Sequence, residues 1–444
     1  GGVAGSGYRV APTTLLSPGQ AESRVVKRRT MTRRRVATSL CDPRVWALTA
    51  AVLATVANTN EPFAASPTMT PTPPSVLPQP ERLVAIGDLH GDLSQARRAL
   101  RLAGVLHASN DEWVGGESVV VQVGDQVDRG DDELGVLALL QELKGQAEEA
   151  GGGLHVLVGN HEIMSAQGNA RYATEGAMRK FAQWAKVCQH KGLLPPGVAK
   201  QNHCQLYTQP GPLSCPEGDT QCFQQVERMA PYVRARFLAL RAGGPIAKDL
   251  LAPHRSAALV VGSTAFVHGG MLKAEHLDGY GKADATPAEA LTAMNLDMSD
   301  FLAGKKGQRL PEVAGYRGIL WNRALSGAAD VDKQTCAMLR ETLQALPGKP
   351  ARMVVGHTVQ PGGKVSSSCD GAIWRIDIGL SSGVLGSAPQ VLEVKADGTV
   401  RVLSETPDAC SADAEQCAGQ AAGGSDWLAG PSVVQRWVAG ALGG

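Results

Sequence analysis

The chain is poor in aromatic residues, carries no excess of either charge, and contains no apolar run long enough to cross a bilayer. Phe, Trp and Tyr make up 4% of its 444 residues, too few for a platform on which successive bases stack. The 43 Lys and Arg stand against 42 Asp and Glu, a formal net charge of +1. No broad field therefore recruits nucleic acid, and no nucleic-acid partner is expected. The longest apolar run, Val45 to Ala57, has 13 residues, short of the ~20 that a spanning helix needs, so no stable membrane span is expected. Cys-x-x-Cys pairs are missing, which removes the tight zinc knuckle. No internal repeat is present.

Hydrophobic residues make up 43% of the chain, enough for a large core. Positive charge concentrates at 24–35 (RVVKRRTMTRRR), upstream of the Val45–Ala57 run. A basic stretch, a short apolar run and small residues form a secretory signal pattern, so 1–57 is expected to be a targeting segment. Met31 is then the expected start, and the Thr-Arg-Arg-Arg-Val run resembles a twin-arginine signal. Export to the periplasm or medium is the first expectation. The alternative is an organellar (chloroplast) transit peptide, since the first 60 residues are rich in Arg, Ser and Thr and poor in acids. Of 9 cysteines, Cys41 falls in that segment. The other eight suit disulfides in an oxidising compartment. Pairs among Cys188, Cys204, Cys215 and Cys222, and a Cys410–Cys417 pair, are expected, with the connectivity open. A zinc site from those cysteines with His190 and His203 is the weaker alternative.

Residues 58–80 are rich in Pro and Thr and read as an extended linker. A folded domain follows over 81–405. Short, nearly continuous apolar runs at 82–86, 118–123, 154–158, 264–267, 352–355 and 374–378 read as strands covered on both faces. The runs at 390–394 and 399–403 flank Asp397-Gly398 as a hairpin. Helical spacing over 94–106 and 131–150 alternates with the strands, so the fold class is α/β. The span 165–255 reads as a cysteine-bearing helical insertion or cap, and 275–315 as a second, looser one. The Gly/Ala-rich stretch 406–444 reads as a peripheral tail.

Five of the runs end in polar residues. Gly87-Asp88-Leu89-His90-Gly91 follows the first, and Gly124-Asp125-Gln126-Val127-Asp128-Arg129-Gly130 the second. Gly159-Asn160-His161-Glu162, His268-Gly269-Gly270 and Gly356-His357-Thr358 follow the others. Strand ends are where open α/β sheets bind ligands. Carboxylate and amide oxygens with neutral imidazoles form a mixed set that suits Mn, Fe or Zn. A carboxylate bridging two such ions generates hydroxide at neutral pH and offsets charge on phosphate oxygens. Arg129 offers a planar fork for phosphate. Any one motif alone is an ordinary turn, cap or core histidine; five together are not.

Together these motifs resemble those of the calcineurin-like metallophosphoesterases, within them the phosphoprotein phosphatases, and in Gly124–Gly130 and Gly356–Gln360 the Shewanella-like branch. The resemblance implies a metallophosphoesterase-type β-sandwich flanked by helices. It implies two metal ions, with Asp88 and His90 on the first, Asp125 bridging, and Asn160, His268 and His357 on the second. It further implies His161 as general acid, oriented by Asp128, a metal-activated hydroxide as nucleophile, and Arg129 on the phosphate. Arg323, after Trp321-Asn322, is the candidate second phosphate ligand. Val158 stands where many eukaryotic members have Arg, and no Ser-Ala-Pro-Asn-Tyr-Cys segment occurs. The implied activity is hydrolysis of phosphomonoesters on proteins, at Ser/Thr or Tyr; a dinucleoside polyphosphate hydrolase is the alternative. The acidic Asp131-Asp132-Glu133 is expected to serve a helix dipole, His107, His254 and His276 to be solvated, and His155 to sit mid-strand without an assigned role.

Overall fold

Alternation along one strand shows how the layers are built. In β2 (Arg82–Ile86), Leu83 and Ala85 point one way and Val84 and Ile86 the other, as the two-residue period of a strand requires. The computed structural model describes residues 74–305, 312–327 and 330–405. The expected targeting segment, the linker up to residue 73 and the tail with Cys410 and Cys417 lie outside the described residues.

Two six-stranded sheets carry the fold. In one, β2 is flanked by parallel β3 (Val119–Gln122), then β4 (Gly153–Leu157) and β5 (Arg255–Ser256). On its other side run antiparallel β11 (Gln390–Lys395) and β12 (Val400–Ser404). The second sheet contains β1 (Val76–Leu77), β6 (Ala258–Val261), β7 (Thr264–Val267), β8 (Arg352–Val355), β9 (Ser366–Ser368) and β10 (Ile373–Arg375), in the order β1-β6-β7-β8-β10-β9. Here β7, β8 and β10 run parallel.

Leu83, Ala85, Val121 and Leu392 of the first sheet pack with Leu259, Phe266 and Val354 of the second, all buried, in one apolar layer. Each Leu, Val or Phe among them contributes about 1.5–3 kcal/mol by leaving water. The other face of the first sheet is covered by α1 (Leu93–Leu102) and α2 (Glu133–Glu149). After these come α3 (Asn160–Ala166), α4 (Glu175–Cys188), α5 (Thr220–Arg228), α6 (Pro231–Leu240), α7 (Pro287–Leu302) and α8 (Lys333–Ala345). α7 and α8 pack on the outer face of the second sheet. The result is the expected α/β sandwich with helices on both outer sides.

Several expectations need correction. The linker read over 58–80 ends sooner, because Val76–Leu77 pairs with β6. Within 275–315, the helix α7 is not loosely packed: its Ala290, Leu291, Met294, Met298 and Leu302 are fully buried. Its Thr286–Glu289 capping box marks the helix start. His276 is buried, with Nε2 3.0 Å from the Arg317 carbonyl oxygen. Disulfides Cys188–Cys204 and Cys215–Cys222 close two short loops within 188–222, which removes the zinc alternative. A third, Cys336–Cys369, ties α8 to the turn after β9.

Candidate metal centre

Parallel pairing fixes where the motifs meet. β2, β3 and β4 run the same way, so Asp88, Asp125 and Asn160 leave the sheet on one edge. β7 and β8 deliver His268 and His357 from the second sheet. Hydrogen bonds pin the two edges together. The His357 backbone N–H donates to Asp88 Oδ2 at 3.1 Å, and His268 Nδ1 lies 2.8 Å from the Val123 carbonyl oxygen. Glu162 fastens the two loops of the first sheet, accepting the backbone N–H groups of Asp125, Gln126, Val127 and Gly159 at 2.7–3.1 Å. The glycines are needed for contact: a Cβ on Gly159 or on Gly356 would collide with the Asp125 or Asp88 carboxylate. Of nine non-glycine residues with positive φ among the described residues, five are His90, Asp125, Asp128, Arg129 and His357. Strained backbone concentrates at sites that need a particular geometry.

The donor atoms converge. Asn160 Oδ1 is 3.0 Å from His268 Nε2 and 2.8 Å from His357 Nδ1. Asp125 Oδ1 is 3.3 Å from His268 Nε2, and its Oδ2 is 3.7 Å from His90 Nε2. Two groups, His90–Asp125–His161 and Asp125–His268–His357, keep their ligand atoms within 4.8 Å of one another. Asp88 sits beneath, buried, outside both groups.

The donor chemistry fits cations. His268 and His90 each turn Nδ1 toward a backbone carbonyl, of Val123 and Val127. A neutral ring that donates there carries its lone pair on Nε2. Where the ring is neutral, as at His90, that lone pair faces an Asp125 oxygen 3.7 Å away, so acceptor opposes acceptor unless positive charge lies between; at His268 a ring proton or a cation meets that need. Metal-ligating histidines adopt this pattern of second-nitrogen support. The Asp125 carboxylate makes the pocket favour positive charge. Burial presses on His268, yet Asp125 outweighs it and raises its pKa to about 10. Burial lowers His90 to about 4 and His357 to about 3. Asp125 is held well below the usual carboxylate range, since His268 and His161 outweigh its burial. Burial, then Asp377, hold Asp88 well above it.

Above this floor opens a cavity of about 170 Å³, lined by Arg129, His161, Tyr172, Trp321, Arg323 and Asp377 among others. That is room on the order of ten waters. His161 Nδ1 is 2.7 Å from Asp128 Oδ2, and its pKa is raised because Asp125 and Asp128 outweigh burial. Arg129 stacks on Tyr172 with its guanidinium carbon 4.8 Å from the ring centroid, and its buried Nε has no partner. Arg323 donates to Thr358 Oγ1 at 2.6 Å. Of the expected site residues, His90, Asp125, Arg129, Asn160, His161, Arg323 and His357 line this cavity, while Asp88, Asp128 and His268 touch it through hydrogen bonds to His357, His161 and Asn160.

Sequence reasoning missed Asp377, Tyr172, Arg236 and the part played by Glu133. Asp377 was read as strand, although β10 stops at Arg375; it is buried and its pKa rises to about 6, through burial first. The Asp-Ile-Gly that ends the run at 374–378 repeats the strand-then-polar pattern of the other motifs and was the available signal. Glu133 stands in the first turn of α2, where an acid suits the helix dipole, and it is also buried and ion-paired with Arg236 at 2.8 Å.

The comparisons with known proteins agree. The calcineurin-like phosphoesterase family model matches residues 81–361. Shewanella-like protein phosphatase 2 of Arabidopsis thaliana is 39% identical over 338 residues, covering 74% of this chain and 79% of that protein. Shewanella-like protein phosphatase 1 of Plasmodium berghei is 23% identical over 335 residues, 74% and 76% of the two chains. The solved structure of a cold-active protein tyrosine phosphatase is 22% identical with a TM-score of 0.48, covering 76% of this chain and 84% of its own. With its strand-end motifs gathered at one metal-binding floor, the chain belongs to the calcineurin-like phosphoesterases, in the Shewanella-like protein phosphatase branch, and is a hydrolase of the phosphatase kind.

Proposed function

We propose that the protein hydrolyses phosphate monoesters on protein side chains, with phosphotyrosine favoured. The observation that carries this reading is the meeting, in one cavity, of Asp125, Asn160, His357, Arg129 and His161, with His268 and Asp128 bonded directly behind them. Asp88, His90 and Asp125 would hold one ion, and Asp125, Asn160, His268 and His357 a second, with Mn, Fe or Zn suited to this donor set. When bound, such a pair supplies Lewis acidity, lowers the pKa of water and offsets phosphate charge.

The chain's own residues do the rest. Arg129 and Arg323 grip the phosphate oxygens, Arg129 through a fork whose Nε is free to donate. Asp128 fixes the His161 tautomer, with the proton on Nδ1, and favours the charged ring. Protonated Nε2 then gives its proton to the leaving oxygen, so no alkoxide or phenoxide departs bare. Tyr172 and Trp321 offer aromatic walls, which support an aryl leaving group. The three disulfides support folding in an oxidising compartment, consistent with an exported or organelle-imported chain.

The test is a metal-reconstituted assay of phosphotyrosine peptide, phosphoserine peptide and dinucleoside tetraphosphate side by side. Phosphotyrosine peptide is expected to turn over fastest; preference for the dinucleotide would install the small-molecule alternative. His161→Ala is expected to lose at least about a hundredfold in turnover, the usual contribution of a general acid. Undiminished turnover would remove His161 from its assigned role.

A further inference from the structure

We infer that Arg236, on α6 of the 165–255 insertion, is a positioning residue for the acid pair, so that the insertion completes the proton-donating machinery. This rests on the reading of His161–Asp128 given above. Arg236 is 2% exposed. Its Nη2 donates to Asp128 Oδ1 at 2.8 Å and to Ser165 Oγ at 3.1 Å, and its Nε donates to Glu133 Oε2 at 2.8 Å. Glu133 returns to the same residue, its Oε1 accepting the Asp128 backbone N–H at 3.0 Å. The two carboxylate oxygens of Asp128 are thus divided: Oδ1 faces Arg236 and Oδ2 faces His161.

This division fixes the plane of the Asp128 carboxylate. A planar guanidinium holds oxygens at set angles, which a single ammonium does not. Asp128 also sits in the left-handed backbone region, at φ 67°, so its own chain does not favour the orientation it adopts. Ser165 lies one turn after His161 on α3 and on the same face. Arg236 therefore grips both the carboxylate that aims His161 and the helix that carries it. A buried ion pair adds little net stability over apolar packing. What this one supplies is geometry: without Arg236, Glu133 becomes a buried carboxylate without a cationic partner, and Asp128 keeps His161 but loses the partner opposite it.

The role predicts a leaving-group signature. A general acid matters more when the departing phenol is a weaker acid. The metal-loaded full chain is assayed on p-nitrophenyl phosphate and phenyl phosphate, with metal content and melting curves recorded. The variants are Asp128→Asn, Arg236→Lys and the charge-balanced pair Arg236→Met with Glu133→Gln. Asp128→Asn and the paired variant are expected to lose about tenfold or more beyond their p-nitrophenyl loss when phenyl phosphate is the substrate. Arg236→Lys is expected to recover part of that excess. Combining Asp128→Asn with Arg236→Met is expected to add little, as for residues acting through one another. A bias in Asp128→Asn with equal losses on both substrates in every Arg236 variant overturns the inference alone. Absence of bias in Asp128→Asn removes the acid-pair reading, and the inference with it. If neither Arg236 variant folds, Arg236 is a structural residue and the inference is likewise overturned.

Discussion

Asn160 and His357 lie 197 positions apart in sequence, yet the amide oxygen of one stands 2.8 Å from Nδ1 of the other. Only the two sheet edges bring them together, and neither atom makes a better partner of the other than a cation would. Removing Asn160 should therefore cost metal. Asn160→Ala is expected to fall from about two bound ions toward one, with turnover down at least about a hundredfold. Chelation of the wild-type chain should lower its melting temperature, since free ion at a hundred times its Kd contributes about 2.7 kcal/mol per site. Elemental analysis and melting curves with and without chelator check both. Unchanged metal content in Asn160→Ala would place the second ion elsewhere.

Asp377 is the carboxylate that burial and the Asp125 charge raise to about pKa 6, and it in turn helps hold Asp88 above the usual range. Two buried carboxylates that oppose each other's ionisation are relieved by a cation. Asp377→Asn should therefore weaken metal binding by about 10–100-fold, as outer-shell changes do. Competition with a fluorescent chelator measures it. Equal affinity in variant and wild type would leave Asp377 as a wall of the cavity only.

His155 sits in β4, and burial lowers its pKa to about 4. The unfolded chain takes up this proton near the ordinary value of 6.5, while the folded chain resists it until about 4. Stability from this group is thus full above pH 6.5 and falls as pH drops from there toward 4. Urea midpoints at pH 7 and pH 5 should differ more in wild type than in His155→Gln. Equal differences would count against a neutral, half-buried His155.

The short apolar runs were legible because parallel strands covered on both faces leave little but Val, Ile and Leu. The five motifs were legible because each puts a metal-type donor directly after such a run. Asp377 stayed hidden since it falls inside an apolar-looking run, and β10 stops two residues before it. Arg236 stayed hidden for a different reason. An Arg among Tyr232, Val233, Phe237 and Leu238 on a helix reads as the polar face of an amphipathic segment, and only tertiary structure shows it turned inward. α7 was misread because its Met-rich, Asn-bearing sequence looks soft. Asn295 is in fact buried, accepting the backbone N–H groups of Ala257 and Ala258.

Glu162 holds the loops after β3 and β4 in register through four backbone amides. A single carboxylate thus sets the spacing between the Asp125 loop and the start of the helix that carries Asn160 and His161. Its loss would strand four buried donors at once, each at a cost of about 1–3 kcal/mol. The damage would then run through both loops and not stay at one side chain.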